Sequence, residues 1–340
     1  MISPTEFPEV AIGAHDRRAI FGLATRAAPC FSAYQTELSD LLNEIPAALH
    51  ESLRQLTFST HESGYVIFRG IASPDTLHLP STPTERSPRL LQHHWTAGLL
   101  LLTAELLGSL IGYADEKDGA LIHDVHPVRG EEERIENSGS VEFDYHTENV
   151  HHPLRPDYLG LLCLRQDHDG RARLRVSSVR HALRELPPHH VAELRKENFS
   201  SRHPTSFTQT IGGVPPTTRH PVLFGSEREP CVRFNAHHTK AVGAAANSAL
   251  TALATALRRA GQELDITSGD LVVVDNHTAV HGRSAFTPRY DGQDRWLRRF
   301  YALRALPEGM AASMPRPRVL PPLDGAWPAT GGPSAYRGQA

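Results

Sequence analysis

The chain has 340 residues, with 35 Lys and Arg interspersed among 38 Asp and Glu for a formal net charge of −3. That length buries a substantial core without covalent staples, and the mixed charge offers neither a basic stripe for nucleic acid nor an acidic tail for a basic partner. Cys30, Cys163 and Cys231 are far apart and odd in number, which argues against a disulfide framework or a CxxC metal site and for a reducing, cytoplasmic compartment.

MISPTEFPEV lacks a basic segment ahead of an apolar run, so no signal peptide is expected. Residues 1–55 read as helical, with LSDLLNEIPAALHESLRQL as amphipathic segments, and the helical N-terminal part is bounded at 63. GYVIFRGI (64–71) is a β-branched strand. SPDTLHLPSTPTERSP is a loop, and 88–112 read as one long helix. Its apolar run GLLLLTAELLGSLIGY is interrupted by Glu105 and too short for a membrane span. Strands are expected in ALIHDVHPV (120–128), GSVEFDYHTE (139–148), RPDYLGLLCLR (155–165) and RARLRVSSV (171–179), then helix over 180–200. PVLFG and PCVRFN form a hairpin, 242–261 a helix stopped by Gly261, and 264–276 a turn entering a strand. RWLRRFYALRAL (295–306) reads equally as helix or strand. From Pro307 to residue 340 the composition is that of a mobile Pro, Gly and Ala tail. The whole is α+β, one domain over 1–306, with flanking helices around an antiparallel sandwich or barrel at 64–306.

With 21 histidines in the chain, no single one carries weight, so spacing must argue. In FDYHTENVHH (143–152), His146 and Glu148 are two apart. On a strand, such residues project from one face, roughly 6.5–7 Å apart. One imidazole and one carboxylate are two-thirds of the 2-His-1-carboxylate triad that holds non-haem Fe(II) with positions left open. Zinc takes the same donor types. Asp144, His151 and His152 are rival donors, and VDNHTAVHGR offers His277 or His281 as the third ligand.

HTENVHHPLRPDYLGLLCLR followed by SGDLVVVDNHTAVHGRSAFTPRYDGQDRWLRR resembles the clavaminate synthase-like Fe(II)/2-oxoglutarate oxygenases, nearest the asparagine oxygenase and arginine β-hydroxylase group. The likeness runs from about Glu116 to Leu306, with GYVIFRGI as the preceding strand. It implies a double-stranded β-helix (jelly-roll) core, Fe(II), and 2-oxoglutarate and O2 as co-substrates. It also implies His146, Glu148 and His281 as metal ligands, with His277 a bystander and His151 and His152 structural or lining. The family's arginine fourteen residues past the distal histidine is Arg295, implied to bind the far carboxylate of 2-oxoglutarate, where a bidentate guanidinium is the best partner. If 295–303 is a strand, Arg299 shares that face and is implied to meet the substrate carboxylate. Many relatives add a Thr for 2-oxoglutarate. Leu174 stands there in this chain, so either Arg295 acts alone or a hydroxyl such as Ser177 substitutes.

The same resemblance makes Glu116 the partner of a substrate ammonium, with Asn137 and Asn149 hydrogen-bonding around it. These contacts define a free polar α-amino acid, hydroxylated at Cβ, and imply a place in secondary-metabolite (antibiotic) biosynthesis. Asn235 occupies the position of a side-chain-reading Asp. Because an amide also donates, and His237 or His238 can help if protonated, aspartate or glutamate is expected ahead of asparagine. FNAHHTK lacks the paired acids an arginine substrate needs. The alternatives are the same chemistry on a carrier-bound amino acid, a desaturase or cyclase, and a non-catalytic metal-binding protein.

Overall fold

The computed structural model describes residues 9–32, 36–57, 62–86, 91, 93–136, 138–203 and 218–323. Two sheets face each other. The larger runs in the order β1 (Glu9–Ala11), β2 (Tyr65–Arg69), β13 (Leu271–Asp275), β6 (Tyr158–Arg165), β15 (Trp296–Leu303), β3 (Ser109–Tyr113) and β16 (Val319–Leu320), with β4 (Ile122–Val125) also paired to β15. The pairings β1–β2 and β3–β16 are parallel and the others antiparallel. The smaller sheet is fully antiparallel in the order β12 (Gln262–Leu264), β7 (Leu174–Ser178), β14 (Ala279–Arg283) and β5 (Phe143–His146). The expected hairpin forms from β9 (Leu223–Gly225) and β10 (Pro230–Val232).

The layering follows from side-chain parity. Residues Tyr65, Ile67, Leu159, Leu161, Val272 and Val274 of the large sheet pack against Leu174, Val176, Leu264 and Ala279 of the small one. The other face of the large sheet, with Phe68, Leu162 and Phe300, meets the helices Ala14–Ala27, Ala47–Thr57 and Trp95–Leu107. The outer face of the small sheet meets the helix Ala244–Ala260 through Val280, Leu253 and Leu257. Gly261 ends that helix as expected. A Cβ there would lie 1.9 Å from the Tyr145 hydroxyl, so the close approach itself requires glycine.

Four expectations change. The helix expected over 180–200 is two short helices, Val179–Leu183 and Pro188–Leu194, followed by a strand at Phe199–Ser201. The long helix over 88–112 is a helix over Trp95–Leu107 followed by β3. The break falls at Gly108, where φ is 145° and a Cβ would lie 2.2 Å from the Leu303 carbonyl. Among the described residues of the N-terminal part, a strand, β1, precedes the helices and joins the large sheet. The segment after Pro307 does not begin as a tail: Met310 and Leu320 are buried between the sheets, and β16 extends β3. RWLRRFYALRAL resolves as a strand. Every residue of β15 is buried, which is why its sequence shows no alternation. No helix among the described residues is long and apolar enough to cross a membrane.

Gly160 on β6 lies opposite Phe300 on β15, and a Cβ at 160 would approach the phenyl ring to 2.0 Å. Gly160→Ala is therefore expected to cost about 1–3 kcal/mol through overpacking. Thermal unfolding should show a lower Tm, and an unchanged Tm would mean that the ring moves aside freely.

Candidate active site

Strand β5 ends at His146. Thr147 donates its N–H to the Phe234 carbonyl at 2.7 Å, and Glu148 opens the turn that follows. His281 on β14 lies directly opposite His146, with ring centroids 4.3 Å apart. Glu148 Oε1 is 3.4 Å from His281 Nε2, and one donor atom from each of the three residues lies within 4.8 Å of the others. His146 Nδ1 donates to the Asp144 carbonyl at 3.0 Å, which leaves Nε2 bare. Burial, with His281 beside it, pushes the His146 imidazole down to about 3, so it is neutral at pH 7. The His281 Nδ1 is buried without a hydrogen-bond partner among the described residues. The Glu148 main chain is pinned by Asn276: its N–H donates to Asn276 Oδ1 at 2.8 Å, and Asn276 Nδ2 donates to the Glu148 and Pro156 carbonyls at 3.3 and 2.8 Å. Two imidazoles and a carboxylate converging on one point fit a divalent non-haem metal.

The rival donors are engaged elsewhere. Asp144 pairs with Arg258 at 2.5 Å, and His277 Nε2 meets Asp157 at 2.6 Å. His152 bonds the Leu154 main chain and packs edge-on to Tyr113, while His151 packs against His203.

Arg299 is the hub of the site. Its Nη1 donates to Glu148 Oε1 at 2.7 Å, and its Nη2 donates to Glu116 Oε1 and to His123 Nδ1, each at 2.9 Å. His123 can accept because its Nε2 donates to the Ala120 carbonyl at 3.0 Å. Tyr301 donates to Glu148 Oε2 at 3.1 Å. Burial raises both carboxyls, but Arg299 and His281 outweigh it at Glu148 and hold that carboxyl well below its usual range, whereas Glu116 stays raised. Asn149 adopts φ 46°, a left-handed conformation that Asn tolerates, and its Nδ2 donates to Glu116 Oε2 at 3.3 Å. Asn137 lies outside the described residues.

Arg295 faces the space between the sheets and lines a cavity with Cys163, Leu264, Ile266 and Leu297. Its guanidinium lies 6.0 Å from the Phe286 ring centre and makes no hydrogen bond or ion pair among the described residues. Arg298 points to the opposite face, toward Asp124, Thr96 and Leu91, as strand parity requires. Leu174 is buried in the core between the sheets. Ser177 is not: its hydroxyl donates to the Leu257 carbonyl at 2.7 Å on the outer face, so it cannot substitute for the missing Thr.

Asn235 stands opposite His146 in an antiparallel bridge, so the two side chains share a face. Its Oδ1 accepts the N–H groups of His237 and His238 at 2.9 and 3.0 Å. Two main-chain donors can be met only by the amide oxygen, which fixes the flip and turns Nδ2 away from them. Burial lowers the pKa of His238, so it supplies no cation at neutral pH.

Sequence reasoning did not find His123, Asn276, Arg283 or Tyr301. For two of them a signal existed. Arg283 is two residues past His281 and Tyr301 two past Arg299, each on the same face as its predecessor.

A buried pair of imidazoles with one carboxylate, set near the guanidinium of Arg295, which makes no ion pair among the described residues, is the donor set of a mononuclear non-haem iron enzyme with an anionic co-substrate. The chain belongs to the taurine catabolism dioxygenase TauD, TfdA family, which it matches over residues 25–301. It is 37% identical to the L-asparagine oxygenase of Streptomyces coelicolor over 280 residues, 82% of this chain and 80% of that one. The structure of asparagine oxygenase with Fe(II), (2S,3S)-3-hydroxyasparagine and succinate superposes with a TM-score of 0.84 and 34% identity, covering 92% of this chain and 99% of that one. The non-haem iron oxygenase OrfP with Fe and α-ketoglutaric acid gives 0.81 and 27% identity, covering 93% and 100%. The protein is an Fe(II)- and 2-oxoglutarate-dependent dioxygenase.

His146→Ala, Glu148→Ala and His281→Ala should each abolish stoichiometric Fe(II) binding and 2-oxoglutarate turnover without unfolding the protein, whereas His277→Ala should retain both. Anaerobic metal titration and succinate release measure this. A dead His277→Ala beside an active His281→Ala would reverse the ligand assignment.

Proposed function

We propose that the enzyme hydroxylates free L-aspartate at Cβ in a secondary-metabolite pathway, with His146, Glu148 and His281 holding Fe(II) and Arg295 binding 2-oxoglutarate. The two facing sheets are read as the halves of a double-stranded β-helix. When bound, Fe(II) couples decarboxylation of 2-oxoglutarate by O2 to insertion of one oxygen atom into a C–H bond. The protein's own share is binding, orientation and exclusion of water.

A zwitterion can split the Arg299–Glu116 ion pair, its carboxylate taking the guanidinium and its ammonium taking Glu116, so neither charge is left buried and alone. Asn149 supports Glu116 in that role, and Asn137 is assigned beside it on the family resemblance. A carrier-bound thioester has no α-carboxylate for Arg299, so the free amino acid is favoured. The relatives' names speak for amino-acid substrates of their own, as with L-asparagine oxygenase. Cys30, Cys163 and Cys231 are all free, which supports a cytoplasmic location.

The observation that carries aspartate over asparagine is the amide of Asn235. With Oδ1 committed to His237 and His238, Nδ2 is what it offers a substrate. A donor suits a side-chain carboxylate. Asparagine can use only its carbonyl oxygen there and leaves its NH2 group without an acceptor from this residue.

Asn235→Asp replaces that donor by an anion of nearly the same shape. Turnover of aspartate should fall by roughly two orders of magnitude in kcat/KM, the kinetic equivalent of leaving a buried charged group without its donor, and asparagine should rise in rank. Both proteins are assayed for +16 product and succinate on aspartate, glutamate, asparagine and glutamine. An unchanged ranking would remove Asn235 from the side-chain pocket and with it the aspartate reading.

A further inference from the structure

Arg283 is the last residue of β14, two past His281, and therefore shares the inward face of that strand. Its side chain is buried among side chains that offer it no negative charge. The neighbour directly across the sheet on β7 is Leu174, and on the β5 side it is Phe143. One of its nitrogens, Nη2, donates to the Val141 carbonyl at 2.6 Å, and Nε is buried with no hydrogen-bond partner among the described residues. Its guanidinium lies 5.1 Å from the centre of the Phe286 ring, the same ring that Arg295 approaches to 6.0 Å. Two guanidiniums thus share one phenyl ring between the sheets, and among the described residues no carboxylate pairs with either.

Buried cations of this kind are stable only when something anionic answers them. Arg299, by contrast, has Glu148 and Glu116; of the carboxylates that line the cavity with Arg295, Asp265 pairs with Arg173, and Asp167 acts on Arg295 without forming an ion pair. The anion that Arg283 and Arg295 share must then come from outside the chain. A carboxylate has about four acceptor sites, and a single bidentate arginine fills two of them. Leu174 has no donor to give the remaining oxygen surface, and the Ser177 hydroxyl is committed on the other face of β7.

We infer that Arg283 and Arg295 together form a two-arginine clamp for the distal carboxylate of 2-oxoglutarate, with Arg283 supplying the donors for which β7 has no hydroxyl. The inference rests on the assignment of Arg295 to that carboxylate. It places Arg283 beside the co-substrate on the strand that carries the metal ligand His281, so metal and co-substrate are held from one rigid element.

The test compares two ligands that differ only at the far end. 2-Oxoglutarate has the distal carboxylate, and 2-oxobutyrate keeps the keto acid but lacks it. Each is titrated calorimetrically into the Fe(II)-loaded protein without O2, for the wild type, Arg283→Met and Arg295→Met. If the clamp exists, Arg283→Met weakens 2-oxoglutarate on the order of thirtyfold or more, the usual consequence of removing one member of a buried charge pair, and leaves 2-oxobutyrate unchanged. Arg283→Gln, which keeps the length and an N–H donor without the charge, is read in the same way should the Met variant not fold. An unchanged 2-oxoglutarate affinity, or an equal loss for both ligands, overturns the clamp. Selective loss in Arg295→Met alone overturns Arg283 while preserving Arg295. Selective loss in neither variant overturns the assignment of Arg295 and the clamp together. None of these outcomes depends on which amino acid is hydroxylated.

Discussion

A single guanidinium between two carboxylates, deep in the space between two sheets, is the constraint around which this molecule is arranged. The Arg299 side chain is 3% exposed and contacts Glu148 and Glu116, which are 9% and 7% exposed. Charges at that depth are costly unless each is met with good geometry. The fold meets them with further polar contacts, from His123, Tyr301 and Asn149, each itself fixed by a buried neighbour or a main-chain carbonyl. Such a set is a weak source of net stability, because desolvation offsets its attraction. The apolar layers on both outer faces supply it, through the helices over Ala14–Ala27, Trp95–Leu107 and Ala244–Ala260. The chain thus separates its two tasks by side-chain parity. Along β15, Trp296, Phe300 and Ala302 face the helices, while Arg299 and Tyr301 face the chemistry.

That parity also explains what could be read in the sequence. The convergence of His146, Glu148 and His281 was legible because two short motifs carry these residues and because their order in the chain does not depend on packing detail. The parity of Arg295, Arg298 and Arg299 followed once β15 was taken as a strand. The strand itself was not legible, because a strand buried on both faces loses the alternation that identifies it. The same loss hid the junction at Gly108, where one apolar run serves first as helix and then as strand. A composition rich in Pro, Gly and Ala concealed that the chain beyond Pro307 returns to pair with β3. Ser177 failed as a stand-in hydroxyl for a simple reason: it is three residues from Leu174, and three is odd on a strand. The groups that hold Glu148 and Arg299 in place, Asn276 and His123, come from segments about 130 and 175 residues away in sequence. No local pattern marks them.

On the proposed reading, selectivity in this site is a matter of which atom is offered, not of volume. Asparagine and aspartate are nearly isosteric, so a pocket separates them only through donors and acceptors. Asn235 reads its own backbone first, through the N–H groups of His237 and His238, and that commitment decides which end of the amide remains. An Asp in the same place would accept those two N–H groups with one oxygen and offer the other, an acceptor. On the proposed reading, that difference of one atom type is what separates the acid from the amide, with the loop left intact.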